Sequence, residues 1–214
     1  MDNKQRIIEE AAVMFRTFGI RSVTMDMLAN QMGISKRTIY EVFEDKDDLL
    51  SGVLKWMALK QEKLSVRVLE ESENVIEAIF KLLDIMTEHF RNMSPAFRMD
   101  MKRFHNDMIN KFNKTDELPY YNNNAEILKR GIEEGIFRKD LDIMITNKCL
   151  MEVMKMSGDK DVSAEDDLIN EDVIRDFFIN YLRGISTQKG LELINFYKKK
   201  GPILINGQHF KDKE

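Results

Sequence analysis

Residues 24 to 46, TMDMLANQMGISKRTIYEVFEDK, constrain the fold more than any other stretch, because they read as two short helices joined by one tight turn. Thr24 precedes a periodic run as an N-cap, and Asp26 lies in the first turn, where its charge complements the helix dipole. Met27, Leu28 and Met32 form an apolar face with small Ala29 between them, and Gly33 stands where a helix C-terminus favours a left-handed residue. Ile34 fills the corner. Ser35 is a good N-cap for the second helix, and Lys36, Arg37, Thr38 and Tyr40 crowd its first turns with donors for phosphates and base edges. The spacing predicts helices over about 25–32 and 36–42, a helix-turn-helix whose second helix is suited to reading DNA.

The flanks extend this unit. Ile8, Ala11, Ala12, Phe15 and Phe18 recur at intervals of three and four, the stripe of a buttressing helix over residues 3 to 18, closed by Gly19. After Phe43, the acidic stretch Glu44 to Asp48 opens a longer helix through Leu49, Leu50, Val53, Leu54 and Met57. That helix is expected to bridge a DNA-binding domain, residues 1–47, and a larger helical domain, residues 48–200, followed by a tail, residues 201–214.

These residues resemble the N-terminal domain of the TetR family of bacterial transcriptional regulators. The resemblance is carried by Phe15, Gly19, Thr24, Ala29, Gly33, Ile34, Ser35, Lys36, Thr38, Ile39, Tyr40, Phe43, Lys46, Leu49 and Leu50. Arg37 departs from it, at a position often small in the family, so operator sequence does not transfer from relatives. A weaker echo, GIEEGIFRKDLD at residues 131 to 142, resembles a turn common in regulatory domains of the family.

Composition agrees with an all-α fold of about nine to ten helices: the 214 residues are 43% hydrophobic and 33% charged, with only three prolines. No apolar window is long enough for a membrane span, and the opening Asp2, Asn3, Lys4 and Gln5 do not read as a leader, so a cytoplasmic protein without membrane partners is expected. Cys149 is the single cysteine, which excludes an intrachain disulfide and a cysteine-rich zinc site. The net charge of −4, with more acids than bases even in the first fifty residues, requires DNA binding to be local and geometric rather than bulk electrostatic.

Beyond Leu50, Asn74 caps a run through Val75, Ile76, Ile79, Phe80, Leu83, Met86, Thr87 and Phe90, and Ser94-Pro95 signals a further helix carrying Phe97, Met101, Phe104, Met108 and Phe112. A helix through Ile127, Leu128 and Ile132 ends at Gly135. Residues 143–157 and 172–185 are apolar around much of their circumference and need cover on two sides. A last short helix is expected over about 191–199.

Geometry and resemblance together assign candidate roles. Lys36, Arg37 and Thr38 are expected in the major groove, with Thr24, Tyr40 and Lys46 holding phosphates and Ser35 capping the reading helix. Trp56, Phe80, Met86, Phe90, Phe97, Met101, Phe104, His105 and Met108 are candidates to line a small-molecule effector pocket, although such stripes are more often plain core. Leu150, Met151, Met154, Phe177, Phe178, Tyr181 and Leu182 are candidates for a dimer interface, because family members pair two helices at this location into a four-helix bundle with a symmetry mate. His89 and His105 have no second ligand at metal spacing, and neither a metal site, a cofactor motif nor a catalytic constellation is expected.

The resulting expectation is a homodimeric regulator, a repressor by family default, that binds a pseudo-palindromic operator in double-stranded DNA. A small apolar effector would release it, but a regulator with no ligand is equally compatible with the residues. The alternative is a helix-turn-helix interaction module that binds a protein partner, which would not need the donors of Lys36, Arg37, Thr38 and Tyr40.

Overall fold

A computed structural model describes residues 2–104, 119–157 and 171–201. These form ten helices and no strand: α1 (Asn3–Phe18), α2 (Met25–Met32), α3 (Lys36–Tyr40), α4 (Lys46–Glu71), α5 (Val75–Arg91), α6 (Pro95–Phe104), α7 (Pro119–Glu133), α8 (Ile143–Ser157), α9 (Glu171–Ile185) and α10 (Gln188–Lys200). The expected tail beyond Gly201 and the polar break at 113–117 lie outside the described residues.

Local chemistry sets the boundaries. Asp2 caps α1 and Thr24 caps α2. Asp45, rather than the acidic stretch as a whole, starts α4: its Oδ1 accepts from the Asp48 amide at 2.8 Å, while the Glu44 amide donates back to Asp48 Oδ2 at 3.1 Å. This reciprocal arrangement satisfies two amides at a helix start. Ser94 Oγ accepts from the Phe97 amide at 3.1 Å, and Pro95 occupies the first position of α6, where a missing N–H costs nothing. The last helix begins earlier than its apolar period suggests, because Thr187 caps it at the Gly190 amide.

Two main apolar cores result. The first gathers Ile7, Ile8, Ala11, Phe15, Leu28, Ile39, Leu50 and Val53 from α1–α4, and it also takes Phe97 from α6. Phe18 is 54% exposed, because the buried face of α1 ends with Phe15 one turn earlier. The second core joins Val75, Ile76 and Phe80 of α5 to Leu128, Ile179, Leu182 and Ile194, with Ile136 and Phe137 of the 131–142 turn fully buried among them. Helix α4 runs between the two, packed on α1 toward one end and on α5 and α7 toward the other.

The corner between α4 and α5 is bolted from α7. Arg130 donates to the carbonyls of Leu69 and Ser72, while Glu134 accepts from the Val75 amide at 2.8 Å. One i,i+4 pair thereby supplies partners for carbonyls ending one helix and an amide opening the next.

Candidate nucleic-acid interface

Helices α2 and α3 meet at Gly33, whose φ of 66° is left-handed. A residue with a Cβ would be strained there. Its amide donates to Asn30 O at 3.2 Å and the Ile34 amide to Ala29 O at 3.0 Å, closing α2 as Ile34 packs against the first core. Ile39 is fully buried beneath α3, which leaves Lys36, Arg37 and Tyr40 on the outer face.

The hydroxyls named from sequence are already engaged. Thr24 Oγ1 accepts from the Met27 amide at 3.1 Å, and Ser35 Oγ accepts from the Thr38 amide at 3.1 Å while lying 2.8 Å from Thr38 Oγ1. An accepting hydroxyl keeps its own proton, so Thr24 can still donate to a phosphate, whereas the Ser35–Thr38 pair uses one of its two protons internally.

The cations are engaged as well. Lys36 Nζ lies 2.6 Å from Asp26 Oδ2, a bond that raises the pKa of its ammonium above the ordinary value, and 5.9 Å from the Tyr40 ring centroid. Arg37 reaches Glu41 at 3.3 Å with its side chain 89% exposed. Lys46 Nζ points at Arg21 O, 3.5 Å away, and burial lowers its pKa against an opposing pull from Asp100 and Asp47. Sequence reasoning misses these acids as partners: the sequence marks Asp26 only as a dipole partner, and Glu41 and Asp100 carry no motif.

The remaining candidates are distributed differently from their sequence grouping. Phe97 belongs to the first core and Trp56 and Met101 pack against it, with Lys60 Nζ 4.7 Å from the Trp56 ring centroid. Phe80 and Met86 belong with the second core. Sequence period identifies a buried stripe but not the body it is buried against, which explains the split. The side chains of Phe90 and Phe104, and residues His105 and Met108 entirely, lie outside the described residues. No cluster of three or more metal-ligating side chains occurs among the described residues.

In the interface set, Leu182 is buried in the second core and Leu150 is 7% exposed, so packing within the chain already accounts for both. Phe178 and Tyr181 are half-buried, and burial pushes the Tyr181 phenol up to about 12, helped by nearby Cys149. Phe177 remains 37% exposed, and Met144 and Ile145 are 71% and 61% exposed. Met144 and Ile145 were apolar in the sequence but out of phase with Leu150, the signal that separates an outer face from an inner one. The side chains of Met151 and Met154 lie outside the described residues.

A family model described as bacterial regulatory proteins, tetR family, matches residues 7–53, the segment that builds the first core and the exposed face of α3. The HTH-type transcriptional regulator YhgD of Bacillus subtilis is 33% identical over 93 residues, a match covering 42% of this chain and 49% of that protein, so the chain spans about half the length of that relative. The HTH-type transcriptional repressor KstR2 of Mycobacterium tuberculosis is 28% identical over 148 residues, covering 64% of this chain and 70% of the relative. A transcriptional regulator from Cytophaga hutchinsonii shares the fold with a TM-score of 0.66 at 21% identity, over 87% of this chain and all of that one (100%). The helix-turn-helix segment, residues 7–53, is thus similar to the tetR family of bacterial regulatory proteins, and the all-helical architecture of the described residues is shared with a solved regulator.

Proposed function

We propose that the chain is a homodimeric, sequence-specific DNA-binding repressor, with residues 1–47 reading a pseudo-palindromic operator and residues 48–200 supplying dimerisation and control. The observation that carries this reading is the outer face of α3. Ser35 caps the helix, Ile39 anchors it to the core, and Lys36, Arg37 and Tyr40 stand exposed around it. Arg37 is placed to read a base edge, and Thr24, Tyr40 and Lys46 to position the backbone.

Dimerisation is assigned to α8 and α9, where Met144, Ile145 and Phe177 are exposed apolar side chains among the described residues. A twofold axis there would present the two α3 helices to successive major grooves, about 34 to 36 Å apart. A ligand favouring a different separation would release the operator through its differential affinity for the two arrangements. Helix α6 supports such coupling, since it contributes Phe97 to the first core and its start is tied to α1 by the bond from the Ser94 amide to Arg16 O at 3.0 Å.

The test is fluorescence anisotropy of the purified protein on DNA flanking its own gene, with a scrambled duplex as competitor across a salt series. Binding that resists the competitor and weakens with salt is expected. If neither the flank nor any duplex selected from random DNA binds more tightly than the scramble, the reading fails.

A further inference from the structure

The bond between Asp26 and Lys36 joins the two helices of the motif on its exposed side, and, on the DNA-binding reading above, it places an anion where a phosphate would approach. Asp26 is in the first turn of α2 and Lys36 opens α3. Thr24 already caps α2, so Asp26 is not needed for that task. With side chains 46% and 61% exposed, the pair contributes little to stability, because water competes for both charges. Its consequence lies in what the ammonium offers a ligand.

We propose that Asp26 is a specificity-determining residue, whose carboxylate holds Lys36 across the helix-turn-helix corner and withdraws it from indiscriminate phosphate contact while leaving it able to meet a base edge. This inference rests on the DNA-binding reading above. A phosphate approaching Lys36 also approaches the Asp26 carboxylate, so attraction and repulsion nearly cancel and little counterion release is gained. A base edge carries no net charge and meets no such repulsion. The ammonium has three protons, and the one directed at Asp26 leaves two, matching the paired O6 and N7 acceptors of guanine. The Tyr40 ring, 5.9 Å away one turn along α3, adds a second constraint on the lysine head. The Arg37–Glu41 pair does not do the same, since it runs from α3 to that helix's own C-cap residue and bridges no second helix.

The test compares wild-type protein, Asp26→Asn, Lys36→Gln and the double variant, all full-length. Each is titrated against the duplex that wild type enriches from random DNA and against a scramble of it, across a salt series, with thermal melting as a check of folding. Asp26→Asn is expected to bind the scramble about tenfold more tightly at low salt and to steepen its salt slope by about two, one phosphate from each subunit. Operator binding should change less, so preference for the operator falls. Asp26→Asn should have no such effect in the Lys36→Gln background. An equal factor on both duplexes, no gain on the scramble, or a gain that persists without Lys36 would overturn the inference while leaving the DNA-binding reading standing. Failure of wild type to enrich any duplex would instead overturn that reading, and the inference with it.

Discussion

Asp100 of α6 accepts a hydrogen bond from the backbone amide of Arg21 at 2.8 Å, across 79 positions of sequence, and so pins the turn between α1 and α2 to α6. Asp100 is buried, at 5% exposure. Gly19 allows the approach: its φ is +85°, and a Cβ there would lie 2.9 Å from Ala96 Cβ and 3.1 Å from Asp100 Oδ2. The Arg21 carbonyl on the other side of the same residue faces Lys46. One turn thus connects α6 to a side chain proposed to hold phosphate.

Asp100→Ala should therefore destabilise the protein by about 1 to 3 kcal/mol, the usual cost of removing one partner of a buried hydrogen bond. Urea unfolding reads the loss. Gly19→Ala should also destabilise, through both its positive φ and the contact with Ala96. Wild-type stability in both variants would show that the joint carries no energy.

Arg37 and Lys46 should separate in DNA binding. Arg37→Ala is expected to cost about 1 to 3 kcal/mol on the operator and to relax preference at one base position in each half-site. Lys46→Ala should weaken every duplex by a similar factor and flatten the salt slope by about one per subunit. Because Lys46 also faces Arg21 O, its variant should melt slightly earlier as well. Retained operator affinity and base preference in Arg37→Ala would remove that residue from the reading set.

The helix-turn-helix was legible because its signals are local. Thr24, Gly33 and Ser35 act on amides and dihedrals within a few residues, and all three take the backbone roles their types suggest. Helix α3 ends at Tyr40, two residues before its expected limit. What the sequence left open is which body a stripe meets. Phe97 and Met101 have the period of a buried face, yet they serve the first core rather than standing with Phe80 and Met86 in the second. Asp100 lies three residues after Phe97, on the same helical face, so its burial could have been suspected; its partner could not, since Arg21 is distant and contributes only a backbone amide. The Asp26–Lys36 pair was hidden for a related reason, because ten residues and a left-handed turn separate the two.

The proposed dimer makes a prediction at exposed positions. Met144 and Ile145 lie in the first turn of α8, just after Asp142, whose Oδ1 accepts from the Ile145 amide at 2.9 Å. Aspartate is compatible with that end of a helix, where the dipole favours negative charge. Met144→Asp and Ile145→Asp should leave helicity and melting of the fold nearly unchanged and shift sedimentation velocity from dimer to monomer at micromolar protein. A persistent dimer in the double variant would place the interface elsewhere.

His89 supplies a pH dependence whose sign follows from its surroundings. Burial lowers its pKa below the ordinary 6.5, the positive charges of Arg16 and then Lys60 lower it further, and Glu88 opposes them. The unfolded chain therefore takes up the imidazole proton before the native protein does. The stabilising contribution is present above about pH 6.5 and is lost as pH falls through the lower native value, because in that window the unfolded state binds more protons. Arg16 belongs to α1 and its carbonyl receives the Ser94 amide, so the charge would develop beside the joint between the first core and α6. Melting temperatures measured between about pH 8 and pH 5 should fall more steeply for wild type than for His89→Gln, with the two curves diverging below about pH 6.5. Parallel curves over that range would mean that His89 keeps its ordinary affinity for protons in the folded protein.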